Sequence, residues 1–449
     1  MVNNNQVFLI DCKKYDPIEI KNKILGGIKA LDIKFKGRIT IKPNVVIAHK
    51  KAAQNSYTRP EFLEGLISAI NEINPVENPI RIVERSGATL STKAQFKRAG
   101  YYKLKKKSKI PIKLEPMEKT KTIQVELKKG VLHDKITVAE SIVDTENLIY
   151  ATKFKFNILV NGITGALKLN IGLLDDEERM MFHDMRLDDK IVDLHEVGKP
   201  NFIAVDAIIA GHGGSQLTAQ PYPLGLIILG TNSLAVDVVS NWIINHDPKQ
   251  IGHLIKAHQR GIGPIDIEDI DISGEDIKIF QERAIGFDKG YVPVNEFPTN
   301  IDILVGDGVV EDDTGKHQSY CQGGCHGIVL DELLMAKDRN PNKPKKFRKD
   351  IKLVIGNYKG NVESKIVLLV GDCSKVDGEI KSKKLIRVKG CPPTHKELMV
   401  ALALDAGLYP DLLRFSLVLP ELLFITPKFL KRIHKLQAWK SVPEILKHW

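Results

Sequence analysis

The sequence predicts an α/β fold, with a larger domain built on a mainly parallel sheet with flanking helices and a smaller cysteine-rich α/β domain. Three observations support this prediction. Apolar, β-branched segments recur along the chain. Amphipathic stretches with apolar residues at helical spacing separate several of them, and this alternation is typical of a parallel sheet covered by helices. At 449 residues, the chain is also longer than one ordinary core accommodates.

The larger domain is expected to occupy residues 1–290. Its predicted strands lie at 7–10, 38–43, 80–84, 141–152, 201–210 and 223–230. Its predicted helices lie at 59–73, 235–247 and 247–263, and the last of these stops at a glycine. Residues 272–300 are expected to form the edge of this domain and the connection to the next.

The smaller domain is expected at residues 291–410. Three apolar strands, at 301–308, 365–373 and 384–391, each run into glycine and a polar or thiol residue, and a helix follows at 395–408. The tail at 411–449 is basic and apolar. Within it a short predicted helix carries an apolar face of Phe429, Ile433, Leu436 and Trp439. That face is expected to dock on the protein's own body, and a partner or a membrane surface is the alternative.

Composition and charge narrow the class of protein. No apolar run reaches the roughly 18 residues needed to span a bilayer, and the first residues lack the basic segment of a signal peptide, so a cytoplasmic location is expected. The net charge of +11 favours acidic partners. The basic runs at 103–109 and 343–349 are interpreted as solvated loops. They lack interleaved aromatic residues, so nucleic-acid binding is not expected.

The five cysteines indicate a metal site and not a disulfide framework, because they are few and odd in number. Four of them fall between residues 321 and 391: Cys321 and Cys325 in a glycine-rich loop, Cys373 after one predicted strand and Cys391 after the next. Ligands at the ends of neighbouring strands fit the crevice of an open α/β sheet. Cys12 closes the first strand alone and is interpreted as ordinary packing.

The spacing of these four thiols favours a [4Fe–4S] cluster, with zinc as the alternative. Structural zinc sites usually use two cysteine pairs, and this chain has one. Gly323 and Gly324 allow a tight fold and can present N–H groups to sulfur. The segment "GCPPTHKEL" is similar to the Gly-Cys-Pro-Pro segment in small cluster-bearing subunits of hydrogenases and quinone-reducing complexes. His317 and His326 are alternative ligands.

Several motifs between residues 38 and 240 resemble the family known as domain of unknown function 362. They are "KPN" at a strand end, "TRPE", "ITGALKLNIGLL", "ERMMFHDM" with Arg179 and His183, Asp206 before a glycine-rich loop, and "AVD" at 235–237. Asn157 differs from the histidine that family members tend to have after the paired lysines. The resemblance implies an α/β domain often joined to iron–sulfur modules, and it implies no particular reaction.

Candidate binding residues in this region are mostly cationic. Lys42, Asn44, Lys153, Lys155 and Lys168 are the predicted contacts for an anionic substrate. The predicted acid/base or metal set is His183, Asp206 and His212. The alternative is that Asp206 and Lys168 satisfy buried backbone and each other.

These features together predict an iron–sulfur oxidoreductase or electron-transfer protein, whose first domain holds an anionic small molecule or a cofactor. Its expected partner is a small anionic substrate or a redox protein. Two alternatives use the same residues: a non-redox lyase or isomerase with the metal centre as Lewis acid, and a zinc-stabilised binding or assembly protein. Walker A, dinucleotide-fingerprint and nucleophile-elbow motifs are absent from the sequence.

Overall fold

The computed structural model describes residues 5–49, 53–87, 90–163, 165–213, 219–290, 292–307, 321–339 and 350–402. Over these ranges the protein is a mixed α/β structure with one large, mostly parallel sheet, flanking helices and a smaller parallel sheet, so the predicted fold class is confirmed. Across the same ranges, no helix combines the length and apolar character needed to cross a membrane.

The strands are short in most of the chain and longest beside the candidate site. They are β1 (Gln6–Asp11), β2 (Ile39–Pro43), β3 (Ile80–Glu84), β4 (Ile112–Pro116), β5 (Thr122–Glu126), β6 (Lys135–Ala139), β7 (Asn147–Asn157), β8 (Gly162–Ile163), β9 (Phe202–His212), β10 (Gln220–Tyr222), β11 (Leu226–Gly230), β12 (Asp271–Gly274), β13 (Asp302–Val305), β14 (Ile351–Lys359), β15 (Val362–Glu363), β16 (Ile366–Asp377), β17 (Ile380–Lys381) and β18 (Lys384–Val388).

The helices alternate with these strands. They are α1 (Pro17–Ala30), α2 (Pro60–Ile73), α3 (Thr92–Ala99), α4 (Tyr101–Lys107), α5 (Glu140–Val143), α6 (Ala166–Leu169), α7 (Asp176–Met180), α8 (Leu187–Leu194), α9 (Ser233–Ile243), α10 (Gly252–Gln259), α11 (Ile277–Arg283), α12 (Gly327–Arg339) and α13 (His395–Val400).

The large sheet has the strand order β12-β1-β11-β9-β7-β2-β3-β4. Only β11 runs antiparallel to its two neighbours in this order, while the other pairs along it are parallel. Every residue of β2, β7 and β11 is buried. Strands covered on both faces are typically continuous apolar runs, and β2 and β11 were predicted from such runs.

Helices cover both faces of the large sheet. On one face, α1 begins where the Asp16 carboxylate accepts the N–H groups of Ile18 and Glu19, which satisfies donors at the helix start. α1 crosses α2 at Gly65, where a Cβ would lie 2.5 Å from the Ile20 side chain. On the other face, one continuous apolar core extends from the large sheet into α12 and the small sheet. This contact places the small sheet beside the predicted binding residues.

The small sheet has the order β13-β14-β16-β18, and all of its pairs are parallel. The pairing of β14 with β16 shifts in register after Ile355. Gly356 on β14 has φ +73°, and Gly371 on β16 has φ +99°. Glycine adopts these left-handed values without a Cβ clash, so both strands bend at the same level of the sheet.

Some predicted elements differ from the structure. Residues 141–143 of the predicted strand at 141–152 belong to α5, and the strand β7 instead starts at Asn147 and continues to Asn157. The basic run at 103–109 is not simply a loop, because residues 101–107 form α4 with Leu104 buried. The predicted domain boundary at 290/291 falls between the last strand of the large sheet and the first of the small one. The basic run at 343–349 and the tail at 411–449 lie outside the described residues.

Candidate metal centre

Four cysteine side chains line one pocket between the small sheet and the large-sheet region. Cys321, Cys325, Cys373 and Cys391 all belong to its lining. All five cysteines of the chain are described, and each is a thiol without a disulfide. The other lining residues include Asp184, His326, Asp372 and Pro392. The fold therefore brings together the four thiols that were grouped by their positions in the sequence.

The Cys321–Cys325 loop is folded tightly immediately before α12. Gly324 has non-helical φ and ψ of −109° and −127°, and a Cβ there would lie 2.6 Å from the Cys321 sulfur. The backbone N–H of Cys325 donates to that sulfur, the kind of contact expected from the paired glycines. The loop thus turns both thiols toward the pocket.

Cys373 and Cys391 are presented by neighbouring parallel strands. Cys373 lies inside β16, in its irregular part after Gly371, and not beyond the strand end as the sequence suggested. A Cβ on Gly371 would lie 2.5 Å from the Cys325 sulfur. Asp372 N donates to Gly390 O at 3.1 Å, and Gly390 N donates to the Asp372 carboxylate at 2.9 Å. These two bonds hold the cysteine-bearing segments side by side.

The large-sheet region supplies the opposite wall through His183 and Asp184. His183 Nδ1 lies 2.9 Å from Gly323 O. A carbonyl only accepts, so Nδ1 carries the hydrogen. Burial lowers the pKa of His183 to about 3, with a further contribution from the charges of Lys190 and Lys168. Asp184 Oδ2 lies 3.8 Å from the Cys391 sulfur, and Asp184 also pairs with Arg186 at 2.5 Å. The predicted acid/base residue His183 therefore contacts the cysteine loop.

Three of these thiols have raised pKa values. Burial raises the pKa of Cys321 to about 12 and that of Cys391 to about 11, and it raises the pKa of Cys325 further. The nearby carboxylate of Asp184 adds to the increase for Cys321 and Cys391. Within the described ranges, no group of three or more His, Cys, Asp or Glu side chains is arranged to hold a metal ion. Burial also lowers the pKa of His326 to about 4, while His317 lies outside the described residues.

Two predicted substrate lysines are paired with carboxylates inside the large-sheet region. Lys42 Nζ lies 2.7 Å from Glu84 Oε2, and both side chains are buried. Lys153 Nζ lies 3.1 Å from Asp206 Oδ2, with both side chains fully buried. Tyr15 donates to Asp206 Oδ1 at 2.7 Å and accepts from Lys153 at 2.9 Å. These carboxylates neutralise the two lysines within the fold.

Lys155 and Lys168 occupy a different environment. Burial lowers the pKa of Lys155 to about 7, and the positive charge of Lys168 contributes to this decrease. Burial and the charge of Arg179 lower the pKa of Lys168 to about 8, while Asp331 on α12 opposes the shift at both lysines. Lys168 forms no ion pair with the described residues. Its helix α6 is held by Asp237, whose carboxylate accepts from Ala166 N at 2.6 Å and Leu167 N at 3.0 Å.

The remaining predicted residues lie in separate surroundings. His212 Nδ1 accepts from Asp288 N at 3.1 Å, and its ring packs 4.8 Å from that of Tyr222. Asn44 is buried, and its Oδ1 has no hydrogen-bond partner among the described residues. The three predicted catalytic residues thus have different contacts: His183 touches the cysteine loop, Asp206 touches Lys153 and Tyr15, and His212 touches Asp288 and Tyr222. Cys12 packs in the core under α1 and α2, as expected.

Sequence reasoning missed four carboxylates that define these sites: Glu84, Asp184, Asp331 and Asp372. Two of them had a local signal. Asp184 follows the selected His183 directly, and Asp372 precedes Cys373. Glu84 ends the strand beside β2, so parallel pairing could have suggested Lys42 as its partner. Asp331 had no such signal, because its approach to Lys155 and Lys168 depends on how α12 packs on the large-sheet region.

Comparisons with known proteins give a family match and a similar solved structure. Residues 39–241 match the family model described as "Domain of unknown function (DUF362)". No curated protein matches the sequence. A solved structure of the lactate racemase apoprotein from Thermoanaerobacterium thermosaccharolyticum is similar, with 12% sequence identity and a TM-score of 0.35. The match covers 54% of this chain and 58% of the racemase chain.

Proposed function

Residues 39–241 form a domain of the DUF362 family, and on this premise we propose that the protein is an iron–sulfur protein. In this proposal Cys321, Cys325, Cys373 and Cys391 bind one [4Fe–4S] cluster. The observation that carries the proposal is the convergence of these four thiols on one pocket. Such a cluster is bound by four thiolates and supplies single-electron transfer.

The donor set and its backbone fit a multinuclear cluster. Zinc would need all four sulfurs about 2.3 Å from one point, and among the described residues no group of three or more His, Cys, Asp or Glu side chains is arranged to hold a metal ion. Gly324 and Gly371 lie so close to the Cys321 and Cys325 sulfurs that a Cβ at either position would displace one. The backbone around the pocket is therefore shaped to the sulfur positions.

The chain also provides groups that would change the reduction potential of such a cluster. The N–H of Cys325 donates to the Cys321 sulfur, and hydrogen bonds to sulfur raise the reduction potential of a cluster by stabilising negative charge. Cys325 is 5% exposed, so its sulfur has little access to solvent. Asp184 approaches the Cys391 sulfur and has its own charge balanced by Arg186.

The same proposal places the anionic substrate or cofactor next to this pocket. Lys168 is the predicted contact best suited to it, because Lys42 and Lys153 already face Glu84 and Asp206. The charge of Lys168 acts on His183, and His183 is bonded to the cysteine loop at Gly323. A molecule bound at Lys168 would thus be separated from the cluster by this histidine and loop. An oxidoreductase or electron-transfer role follows from that adjacency.

Metal and sulfide analysis of anaerobically purified protein tests the proposal. We expect brown protein with about four iron and four acid-labile sulfide per chain, since the cluster type requires that ratio. Reduction by dithionite should then produce an EPR signal. Colourless protein with one zinc per chain would overturn the cluster assignment. Protein with iron and sulfide that dithionite does not reduce would overturn the redox role and favour a Lewis-acid role.

A further inference from the structure

The outer strand of the small sheet leads to the most exposed of the four thiols. Strand β18 pairs only with β16 among the described residues, so its other edge has no partner strand there. The chain then continues through Lys389 and Gly390 to Cys391. Cys391 is exposed and Cys373 is half-buried, whereas Cys325 is buried. A cluster in the pocket would therefore be closest to solvent beside the end of β18.

Two of the outward-facing side chains on β18 and directly after it are basic. Ile386 and Val388 point into the core, so the alternating residues Leu385, Arg387 and Lys389 point outward and are exposed. Arg387 and Lys389 form no ion pair with the described residues. Leu385 is 46% exposed, which adds an apolar contact between the charges.

The charges on the other side of Cys391 do not reverse this sign. Arg186 is 38% exposed at the side chain and balances the buried Asp184. Asp372 is exposed, but its carboxylate accepts the N–H of Gly390. The ridge formed by Leu385, Arg387 and Lys389 next to the exposed thiol is therefore positive overall, in agreement with the net charge of +11.

We propose that the ridge of Leu385, Arg387 and Lys389 is the docking surface for an acidic electron-carrier protein. This inference rests on the proposed function, because it names the redox partner of the same cluster. Electron transfer needs the two redox centres close together, and this ridge borders the point where the cluster would be nearest solvent. One electron passes from the reduced carrier to the oxidised cluster, and the opposite charges accelerate the encounter.

The test measures how fast a reduced, acidic [2Fe–2S] ferredoxin reduces the oxidised cluster. In stopped-flow experiments at low ionic strength, Arg387→Glu/Lys389→Glu should lower the second-order rate constant about tenfold, the size of effect typical of electrostatic steering. At about 1 M salt, where the Debye length is about 3 Å, the difference from the unmodified protein should disappear. Iron content and reduction by dithionite should be unchanged.

The matched control is Lys105→Glu/Lys106→Glu, which makes the same change in net charge on α4. Both lysines are exposed there, and α4 packs against β4 at the far end of the large sheet. If the two double variants slow the ferredoxin reaction equally, the docking surface is wrong and the cluster assignment stands. If the unmodified protein contains no iron and sulfide, the proposed function fails and the docking inference fails with it.

Discussion

The large-sheet region and the cysteine pocket differ in whether their ionisable groups have partners of opposite charge. In the large sheet, buried Lys42 and Lys153 each lie within 3.1 Å of a buried carboxylate. In the pocket, thiols that range from buried to exposed lie together with the carboxylates of Asp184 and Asp372. Burying a charge is costly unless a partner compensates it. These two lysines have their charge balanced within the chain, while the pocket gathers donors whose natural complement is a cation.

This difference separates two roles that residue type alone does not distinguish. A lysine at a strand end is either a ligand contact or half of an ion pair, and the structure shows Lys42 and Lys153 in pairs. The pocket instead groups four thiols with the carboxylates of Asp184 and Asp372, and among the described residues the charge of Arg186 acts on Cys321 and Cys391.

Replacing Cys373 by serine should remove the cluster. Cys373 lies in the irregular part of β16 and lines the pocket, so its loss leaves three thiolates for four irons. We expect most of the iron and acid-labile sulfide to be lost from the anaerobic protein, measured by chemical analysis and visible absorption. Cys12→Ser is the control, because Cys12 is fully buried elsewhere and should leave the iron content intact. Full iron retention in Cys373→Ser would exclude this ligand.

Breaking the ion pair of Lys153 and Asp206 should destabilise the large sheet strongly. Lys153→Met leaves the fully buried carboxylate without its ammonium partner, which typically costs about 3–5 kcal/mol. Urea denaturation measures the change in the free energy of unfolding. The control is Lys107→Met, which removes an exposed pair with Glu64 and should cost less than about 1 kcal/mol. Equal effects of the two variants would show that solvent replaces the buried partner.

Adding a methyl group at Gly323 should disturb the contact between the two regions. A Cβ there would lie 2.6 Å from the backbone oxygen of Asp184 and 3.0 Å from the Leu187 side chain. Overpacking of this kind costs up to about 3 kcal/mol, and we expect Gly323→Ala to lower both thermal stability and iron retention. At Gly26 on α1 a Cβ would meet nothing within 4 Å, so Gly26→Ala should stabilise by about 0.5–1 kcal/mol. Unchanged stability and iron content in Gly323→Ala would contradict the tight contact.

The free energy of unfolding should depend on pH through Asp193, because hydrogen bonds to its carboxylate lower its pKa. Burial raises its pKa, but bonds from His133, Val131, Leu132 and Arg260 outweigh burial and lower the pKa to about 2. A carboxyl whose folded pKa is depressed stabilises the protein above its ordinary value of 3.8. This contribution, about 2 kcal/mol, is lost as the pH falls through the folded pKa.

Denaturation of Asp193→Asn between about pH 2 and pH 6 checks this expectation. Because the amide cannot titrate, stability should fall less steeply with decreasing pH than in the unmodified protein. The difference between the two proteins should be largest above about pH 4 and shrink below it. Parallel pH profiles would show that the carboxylate is not the group responsible.

Much of the fold was predictable because its strands are buried on both faces. β2, β3, β9 and β11 were located as apolar, β-branched runs to within a few residues, and α2 by its apolar spacing. The segment at 141–152 was harder, since its first residues form a single turn of helix that is too short to show a helical period. The bend of β14 and β16 depends on two glycines that lie at the same level on neighbouring strands. No local pattern in the sequence predicts that they lie side by side.

The α/β class, the family match of residues 39–241 and the grouping of four cysteines could be predicted from the sequence, because each depends on local composition, periodicity or motif. The pairing of strands in the large sheet brings Lys42 and Lys153 to Glu84 and Asp206, and the packing of the two sheets places His183 and Asp184 at a wall of the cysteine pocket. These contacts join residues far apart in the chain. Their energies depend on burial and on distances of a few ångströms, which are set when the two sheets pack around a shared core.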